Sequence, residues 1–283
     1  MSHAALCALN HLAVEFLWVE SFMKLLKHVV IVTGGSQGIG EAIALRFAQE
    51  GAAVAVVASS DINKARGVCE RIADAGGTAR PYVCDVRNSA SMATLVADVE
   101  RDLGPVTIAL SAAGMFYPTP AGATPDDDFD RMIGVNLKGT WNLIGGVVPG
   151  MKARGAGKII CIASVAAVYG VAPFSVYCAT KAAIVQMVRA LALELAPVGI
   201  QINAIAPGNT ATPMNAGLRA DPRAMAAISA STPSGRPFSA VEDIAAIALF
   251  LASDDSRAMH GSCLLADEGV SAGLASSLSQ DEA

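Results

Sequence analysis

The chain has 283 residues and a net charge of −5, and its charged fraction of 16% falls well below the roughly 25% of an ordinary soluble domain. A composition that is 53% hydrophobic excludes a disordered chain, and with no basic run and no aromatic-basic interleaving it argues against nucleic acid as a partner. The segments 103–125 and 159–180 carry no charge, but Gly and Pro interrupt both, whereas a membrane-crossing helix needs about 20 predominantly apolar residues, so buried strands running into polar loops are expected and no membrane.

Residues 1–26 form an apolar extension with neither a basic leader region nor a small-residue cleavage site, and Glu15 and Glu20 break it up. His3, Cys7 and His11 would share one helix face, a spacing that zinc could use, but no fourth ligand is nearby and no metal is expected. Met23, just ahead of the first strand, is the expected biological start. The other cysteines, Cys69, Cys84, Cys161, Cys178 and Cys263, form no C-x-x-C pair and read as reduced thiols of a cytoplasmic protein.

From Lys27 onward short apolar runs alternate with helical periodicities. The pattern predicts strand Val29 to Thr33, helix Ile39 to Glu50, strand Ala53 to Ala58, helix Asp61 to Ala75, strand Ala79 to Cys84 and helix Asn88 to Leu103. Strand Val106 to Ser111, helix Pro125 to Arg154, strand Lys158 to Ala163 and helix Ser175 to Pro197 follow. Strand Ile200 to Ile205, a broken stretch from Thr212 to Pro237, helix Ala240 to Ser253 and strand Ser262 to Ala266 complete the series. Strands apolar on both faces belong to a parallel sheet covered by helices, so the expected fold is α/β: a single domain, 27–270, holding a doubly wound seven-stranded parallel sheet with helices on both faces. Residues 271–283 would be a tail.

The first turn reads Thr33-Gly34-Gly35-Ser36-Gln37-Gly38-Ile39-Gly40. Glycines at 34, 38 and 40 let the backbone approach a pyrophosphate, and the helix that follows offers unpaired N–H groups and the positive end of its dipole. Gly34, Ser36 and Gly38 also satisfy G-x-S-x-G, a hydrolase nucleophile elbow, for which His260 is the one histidine further along the chain than residue 36. Tyr177 and Lys181, four apart, would project from one helix face, where an ammonium stabilises a phenolate and makes the phenol a usable acid/base. Ser164 follows the fifth strand, at the end where such sheets present ligands.

Together these motifs resemble the short-chain dehydrogenase/reductase family, over about Lys27 to Gly269. The glycine pattern is met by Thr33, Gly34, Gly38 and Gly40, the catalytic serine by Ser164, the Y-x-x-x-K by Tyr177 and Lys181, and the helix asparagine by Asn136. The adenine-side acid falls on Asp85, beside Val86, and the P-G turn on Pro207-Gly208, with Thr210 and Thr212 placed like nicotinamide contacts. The resemblance implies a Rossmann-like fold and an NAD(P)-dependent oxidoreductase interconverting a secondary alcohol and a ketone. Tyr177 would be the general acid/base, Lys181 would depress its pKa and hold the nicotinamide ribose, Ser164 would position the substrate oxygen, and Asn136 would support a water-linked proton relay. Cofactor contacts would come from Gly34, Ser36, Gln37, Gly38, Ile39 and Gly40 of the turn, Ser59 and Ser60, Asp85 and Val86, Ala113 and Gly114, Tyr177 and Lys181, and Pro207, Gly208, Thr210 and Thr212. The family's N-N-A-G is here Ser111-Ala112-Ala113-Gly114, and its D-G-G is Asp267-Glu268-Gly269.

The second strand ends Ser59-Ser60-Asp61, with neither the acid that selects NAD nor the base that selects NADP, and the choice stays open. Met115, Phe116, Val165, Ala166 and Tyr169, with a mobile lid at about 209–238, would enclose the small-molecule alcohol or ketone, and Arg219, Arg223 and Arg236 could clamp a carboxylate. A 3-oxoacyl acyl-carrier-protein reductase and a sugar or polyol dehydrogenase are the specific alternatives; a non-enzymatic dinucleotide-binding regulator would not need Asn136, Ser164, Tyr177 and Lys181 together. A homotetramer is expected, built through the two long helices; the apolar positions Val185, Val188 and Leu195 fit a buried subunit face, and core packing within one subunit explains them nearly as well.

Overall fold

The structure, a computed structural model, describes residues 23–273. The His3, Cys7 and His11 set lies outside the described residues. Seven parallel strands, β1 (Val29–Thr33), β2 (Ala53–Ala58), β3 (Thr78–Val83), β4 (Ile108–Ser111), β5 (Gly157–Ile162), β6 (Ile200–Pro207) and β7 (Cys263–Ala266), run in the order β3-β2-β1-β4-β5-β6-β7. The order reverses between β1 and β4, and such a switch point opens a crevice at the carboxyl ends of the strands.

Neighbouring residues of one strand serve opposite cores. Val29 and Ile31 join one apolar cluster, while Val30 and Val32 join the other. Helices α1 (Gly38–Gln49) and α2 (Ile62–Asp74) cover the second cluster, and α3 (Ser89–Leu103) covers the first. Asp61 and Asn88 start α2 and α3 by accepting the N–H groups of Asn63 and Ser91, both at 3.0 Å. The packed domain begins ahead of Lys27, because Leu25 is wholly buried and its N–H bonds the Glu50 carbonyl.

The helix expected over Pro125 to Arg154 is three pieces: α4 (Asp126–Met132), a π-helical segment (Ile133–Lys138) and α5 (Gly139–Arg154). The Thr140 hydroxyl donates to the Asn136 carbonyl at 2.8 Å, and the Gly139 N–H reaches back five residues to Gly134. Since Thr140 spends its proton on Asn136, its oxygen accepts from Ser111, 2.9 Å away. Ser111, standing where the family has an asparagine, thereby ties β4 to the π segment.

After β5 comes α6 (Ser175–Leu195), and beyond β6 the broken stretch folds into α7 (Ala216–Arg219) and α8 (Pro222–Ser231), followed by α9 (Val241–Ala252). The segment Ser175–Val198 is long and apolar enough to cross a bilayer, yet Ile184, Val188 and Leu195 are buried against the sheet. Of the two readings of Val185, Val188 and Leu195, the structure gives the intrasubunit one: all three belong to the subunit's own core. The outward face of α6 instead carries Ala179, Ala182, Gln186, Ala190 and Leu193.

Candidate active site

A cleft of about 1220 Å³ opens over the carboxyl ends of the strands. The glycine turn, Ser59 and Ser60, Asp85 and Val86, Ala113 and Gly114, Ser164, Tyr177 and Lys181, and Pro207, Gly208, Thr210 and Thr212 all line it. Asn136 does not; it lies fully buried beneath.

At one end the glycine turn has the form a pyrophosphate needs. Gly38 has φ +59°, and a Cβ on it would stand 3.3 Å from Thr212 Cγ2; a Cβ on Gly40 would fall 2.3 Å from the Gly34 carbonyl oxygen. Gln37 provides no side-chain cap, so the first N–H groups of α1 are left for an anion. The carboxylate of Asp61 is occupied as the cap of α2, and Lys64, one turn on, lines the cleft beside Ser59 and Ser60. Asp85 is held by Arg87, whose Nε donates to Oδ1 at 2.9 Å and Nη2 to Oδ2 at 2.7 Å, and this keeps the carboxyl below its ordinary pKa. Sequence reading missed Lys64 and Arg87; each sits a short step beyond a residue that it had singled out.

At the other end, β5 delivers Ser164 and α6 delivers Tyr177 and Lys181. Ser164 Oγ accepts the Ala166 N–H at 3.1 Å. Lys181 Nζ donates to the Ile162 carbonyl at 2.8 Å and lies 5.6 Å from the centre of the Tyr177 ring. Burial lowers the Lys181 pKa to about 8. Burial also pushes the Tyr177 pKa above its ordinary value, which the neighbouring Ser164 hydroxyl only partly offsets. Burial is the largest cause of that rise, and Lys181, directed at the Ile162 carbonyl, is not among the groups that offset it.

Asn136 is reached through the π segment. Its Oδ1 accepts the Met115 N–H at 2.7 Å, and its Nδ2 donates to the Met115 carbonyl at 3.0 Å and to Thr180 Oγ1 at 3.2 Å. A Cβ on Gly114 would come to 3.6 Å from Asn136 Oδ1 and 3.8 Å from Lys181 Nζ, so that glycine borders a gap between the two side chains. The following loop is fixed residue by residue. Phe116 stacks on Phe174 with centroids 4.2 Å apart, Tyr117 Oη donates to the Asp128 carbonyl at 2.6 Å, and the Thr119 N–H donates to the Pro173 carbonyl at 2.7 Å.

The base of the 209–238 stretch is fastened at Glu268, a left-handed residue (φ 59°) where the family pattern has glycine. Arg236 Nε and the Ser239 hydroxyl donate to its carboxylate at 3.1 and 2.8 Å. Arg236, Ser234 and Ser239 together hold the Glu268 pKa down at about 2. Of the three arginines considered as a carboxylate clamp, Arg236 is thus engaged elsewhere, Arg219 donates to the Thr212 carbonyl and Asn215 Oδ1, each at 3.0 Å, and Arg223 is exposed on α8; none lines the cleft.

The hydrolase pattern has no support in the fold, since the Gly261 beside His260 bonds Ile202 near the start of β6, whereas Ser36 follows the carboxyl end of β1, at the other end of the strands. Among the described residues, no three His, Cys, Asp or Glu side chains cluster as a metal site would require.

The chain matches the model of the family described as Enoyl-(Acyl carrier protein) reductase over residues 34–271. It is 34% identical to the 3-oxoacyl-(acyl-carrier-protein) reductase of Thermotoga maritima, with 88% of this chain and 99% of that protein covered. It is also 36% identical to the 3beta-hydroxysteroid dehydrogenase 1 of Eggerthella lenta, with 85% and 92% covered. Among solved structures, the gluconate 5-dehydrogenase of Burkholderia cenocepacia J2315 in complex with NADP and tartrate superposes with a TM-score of 0.85 at 31% identity, covering 90% of this chain and 99% of that one. A glycine cradle facing a serine, tyrosine and lysine across one parallel sheet defines an NAD(P)-dependent oxidoreductase of Rossmann-like fold. The chain belongs to the short-chain dehydrogenase/reductase family and acts as an alcohol dehydrogenase or ketoreductase.

Proposed function

We propose that Ser164, Tyr177 and Lys181 carry out the reduction of a ketone, or the reverse oxidation of a secondary alcohol, at the inner end of the cleft. The bound nicotinamide cofactor supplies or accepts the hydride. Tyr177 gives its phenolic proton to the carbonyl oxygen in reduction, and its raised pKa keeps that proton in place at neutral pH. Ser164 donates to the same oxygen, and Lys181 holds the nicotinamide ribose while passing a proton toward the gap bordered by Gly114 and Asn136. The convergence of these side chains on one cleft with the glycine cradle carries the reading.

In the cofactor half, the turn Gly34 to Gly40 takes the pyrophosphate, Asp85 and Val86 the adenine, and Ala113, Gly114, Pro207, Gly208, Thr210 and Thr212 the nicotinamide side. Ser59, Ser60 and Lys64 form an acceptor for a ribose phosphate, which favours NADPH. The stretch 209–238 acts as the lid of the domain, which takes in Leu25 ahead of the expected span of about 27–270. The protein works in the cytoplasm, and the outward faces of α5 and α6, which carry exposed Trp141 and Leu193, build a homotetramer. A 3-oxoacyl thioester or a polyol is the alternative substrate, suggested by the named relatives.

The Tyr177→Phe variant tests the assignment: turnover should vanish while cofactor binding, read by calorimetry, persists. Activity close to that of the parent would end it.

A further inference from the structure

Resting on that reading of the site, we infer that the catalytic end of the cleft selects neutral ring-bearing ketones and secondary alcohols, and that Phe116 is the wall against which the ring lies. Charge is distributed unevenly along the lining. Asp61, Lys64, Asp85, Arg87 and Arg131 all belong to the end served by β2 and β3, where Arg131 shares a small side hollow with Arg87. Around Ser164 and Tyr177 the one charged lining residue is Lys181, and it is bonded to Ile162. A substrate carboxylate would be desolvated there with no cation but Lys181, whose ammonium is already directed at a backbone carbonyl, and burying a poorly paired charge is unfavourable.

Hydroxyl-rich substrates fare little better. Thr232 spends its hydroxyl proton on the Ile228 carbonyl, and Asn215 spends its amide on the Thr210 carbonyl, the Thr212 N–H and Arg219. Beside them Met115, Phe116, Met214, Ile228 and Val270 supply apolar surface, and Tyr169 and Asn209 add two polar side chains. Few donors and acceptors are left for a polyol, whereas an apolar ring gains by leaving water for that surface.

Phe116 gives the selection its shape. One face stacks on Phe174, its ring meets Tyr177 edge to face with centroids 4.8 Å apart at 76°, and it still remains 38% exposed. An exposed aromatic ring is ordinarily free to change rotamer. This one is held by its stack on Phe174, on a backbone fixed by the Asn136 grip on Met115 and by Thr119, which bonds both Pro173 and the Val176 N–H. A flat surface fixed before the substrate arrives, one ring away from the proton donor, favours a flat or chair-shaped partner over a flexible chain. The reaction balances as ring ketone, reduced nicotinamide cofactor as hydride source and the Tyr177 proton giving the cyclic secondary alcohol, oxidised cofactor and the Tyr177 phenolate, which a solvent proton restores.

The test compares kcat/KM for an aryl-fused or substituted cyclohexanone, an acyclic ketone of equal carbon count, an acyclic beta-keto thioester and a keto-aldonate. The ring ketone should lead by about tenfold or more, and Phe116→Ala should lower its kcat/KM about tenfold through KM while the acyclic ketone changes less than about threefold. Calorimetric binding of the cyclic alcohol to the Tyr177→Phe protein should weaken in parallel when Phe116→Ala is added. If Phe116→Ala does not fold, Phe116→Leu keeps the apolar volume and should still cut the ring preference. Preference for the keto-aldonate or thioester, an equal loss on every substrate, or no binding of the ring would overturn the inference. A Tyr177→Phe protein that still turned over would instead overturn the underlying assignment, so the two failures are distinguishable.

Discussion

Lys181 is anchored by the carbonyl of Ile162, 2.8 Å from its ammonium, so the buried charge on α6 is tied to the last residue of β5. The cost of that burial appears in its pKa, lowered to about 8. A lysine with a depressed folded-state pKa destabilises the fold below that value, and the penalty is relieved as pH rises toward the unfolded value of 10.5. Lys181→Met should therefore lose turnover yet melt at or above the parent temperature at neutral pH, with the difference shrinking above about pH 8. Thermal melts across that range check it.

The raised pKa of Tyr177 separates the two reaction directions. Ketone reduction needs the phenol protonated and should be nearly flat around neutrality. Alcohol oxidation needs the phenolate and should climb with pH into the alkaline range. Profiles of kcat/KM that coincide in both directions would refute the assignment of the proton to Tyr177.

The Ser111, Thr140 and Asn136 sequence of hydrogen bonds gives a third expectation. Thr140→Val keeps the shape but removes the donor to Asn136 and the acceptor for Ser111, at a cost of about 1 to 2 kcal/mol. Without the side-chain bond the π segment should relax toward α geometry and shift Asn136, so kcat should fall while KM for the cofactor holds. Thr140→Ser should restore both.

Lys64 offers a direct reading of cofactor choice. Lys64→Glu should reduce kcat/KM with NADPH by about tenfold or more and leave NADH little changed, because a like charge would face the phosphate. Equal effects on both cofactors would remove Lys64 from the phosphate site.

Glu268 governs the lid base. Its pKa is depressed from 4.5 to about 2, so its contribution is present above the unfolded value and is lost as pH falls through that interval. Glu268→Gln should lower the protection of the amides at 234–239 against exchange at neutral pH and abolish the acid dependence of that protection factor, with the core strands unchanged.

The motifs with fixed spacing were legible in the sequence because local geometry dictates them: a Gly-rich turn after β1 and a Tyr and Lys one helical turn apart need no tertiary information. The π segment was not, since it depends on the Thr140 hydroxyl finding the Asn136 carbonyl within an otherwise ordinary helical periodicity. Val185, Val188 and Leu195 leave two readings open in the sequence because apolar residues repeat with the same period whether they face a sheet or a second subunit. The lid arginines were misjudged for a related reason, as composition places a cation nearby but cannot reveal that Glu268 or the Thr212 carbonyl already claims it.

Asn136 holds the neighbouring loop by the N–H and C=O of Met115 and makes no demand on any side chain there. Placement and identity are therefore encoded at separate positions: the asparagine fixes where residue 116 stands, and the codon at 116 decides what stands there. A lineage could exchange that residue repeatedly, and with it the molecules admitted to the cleft, without rebuilding the frame that aims the proton.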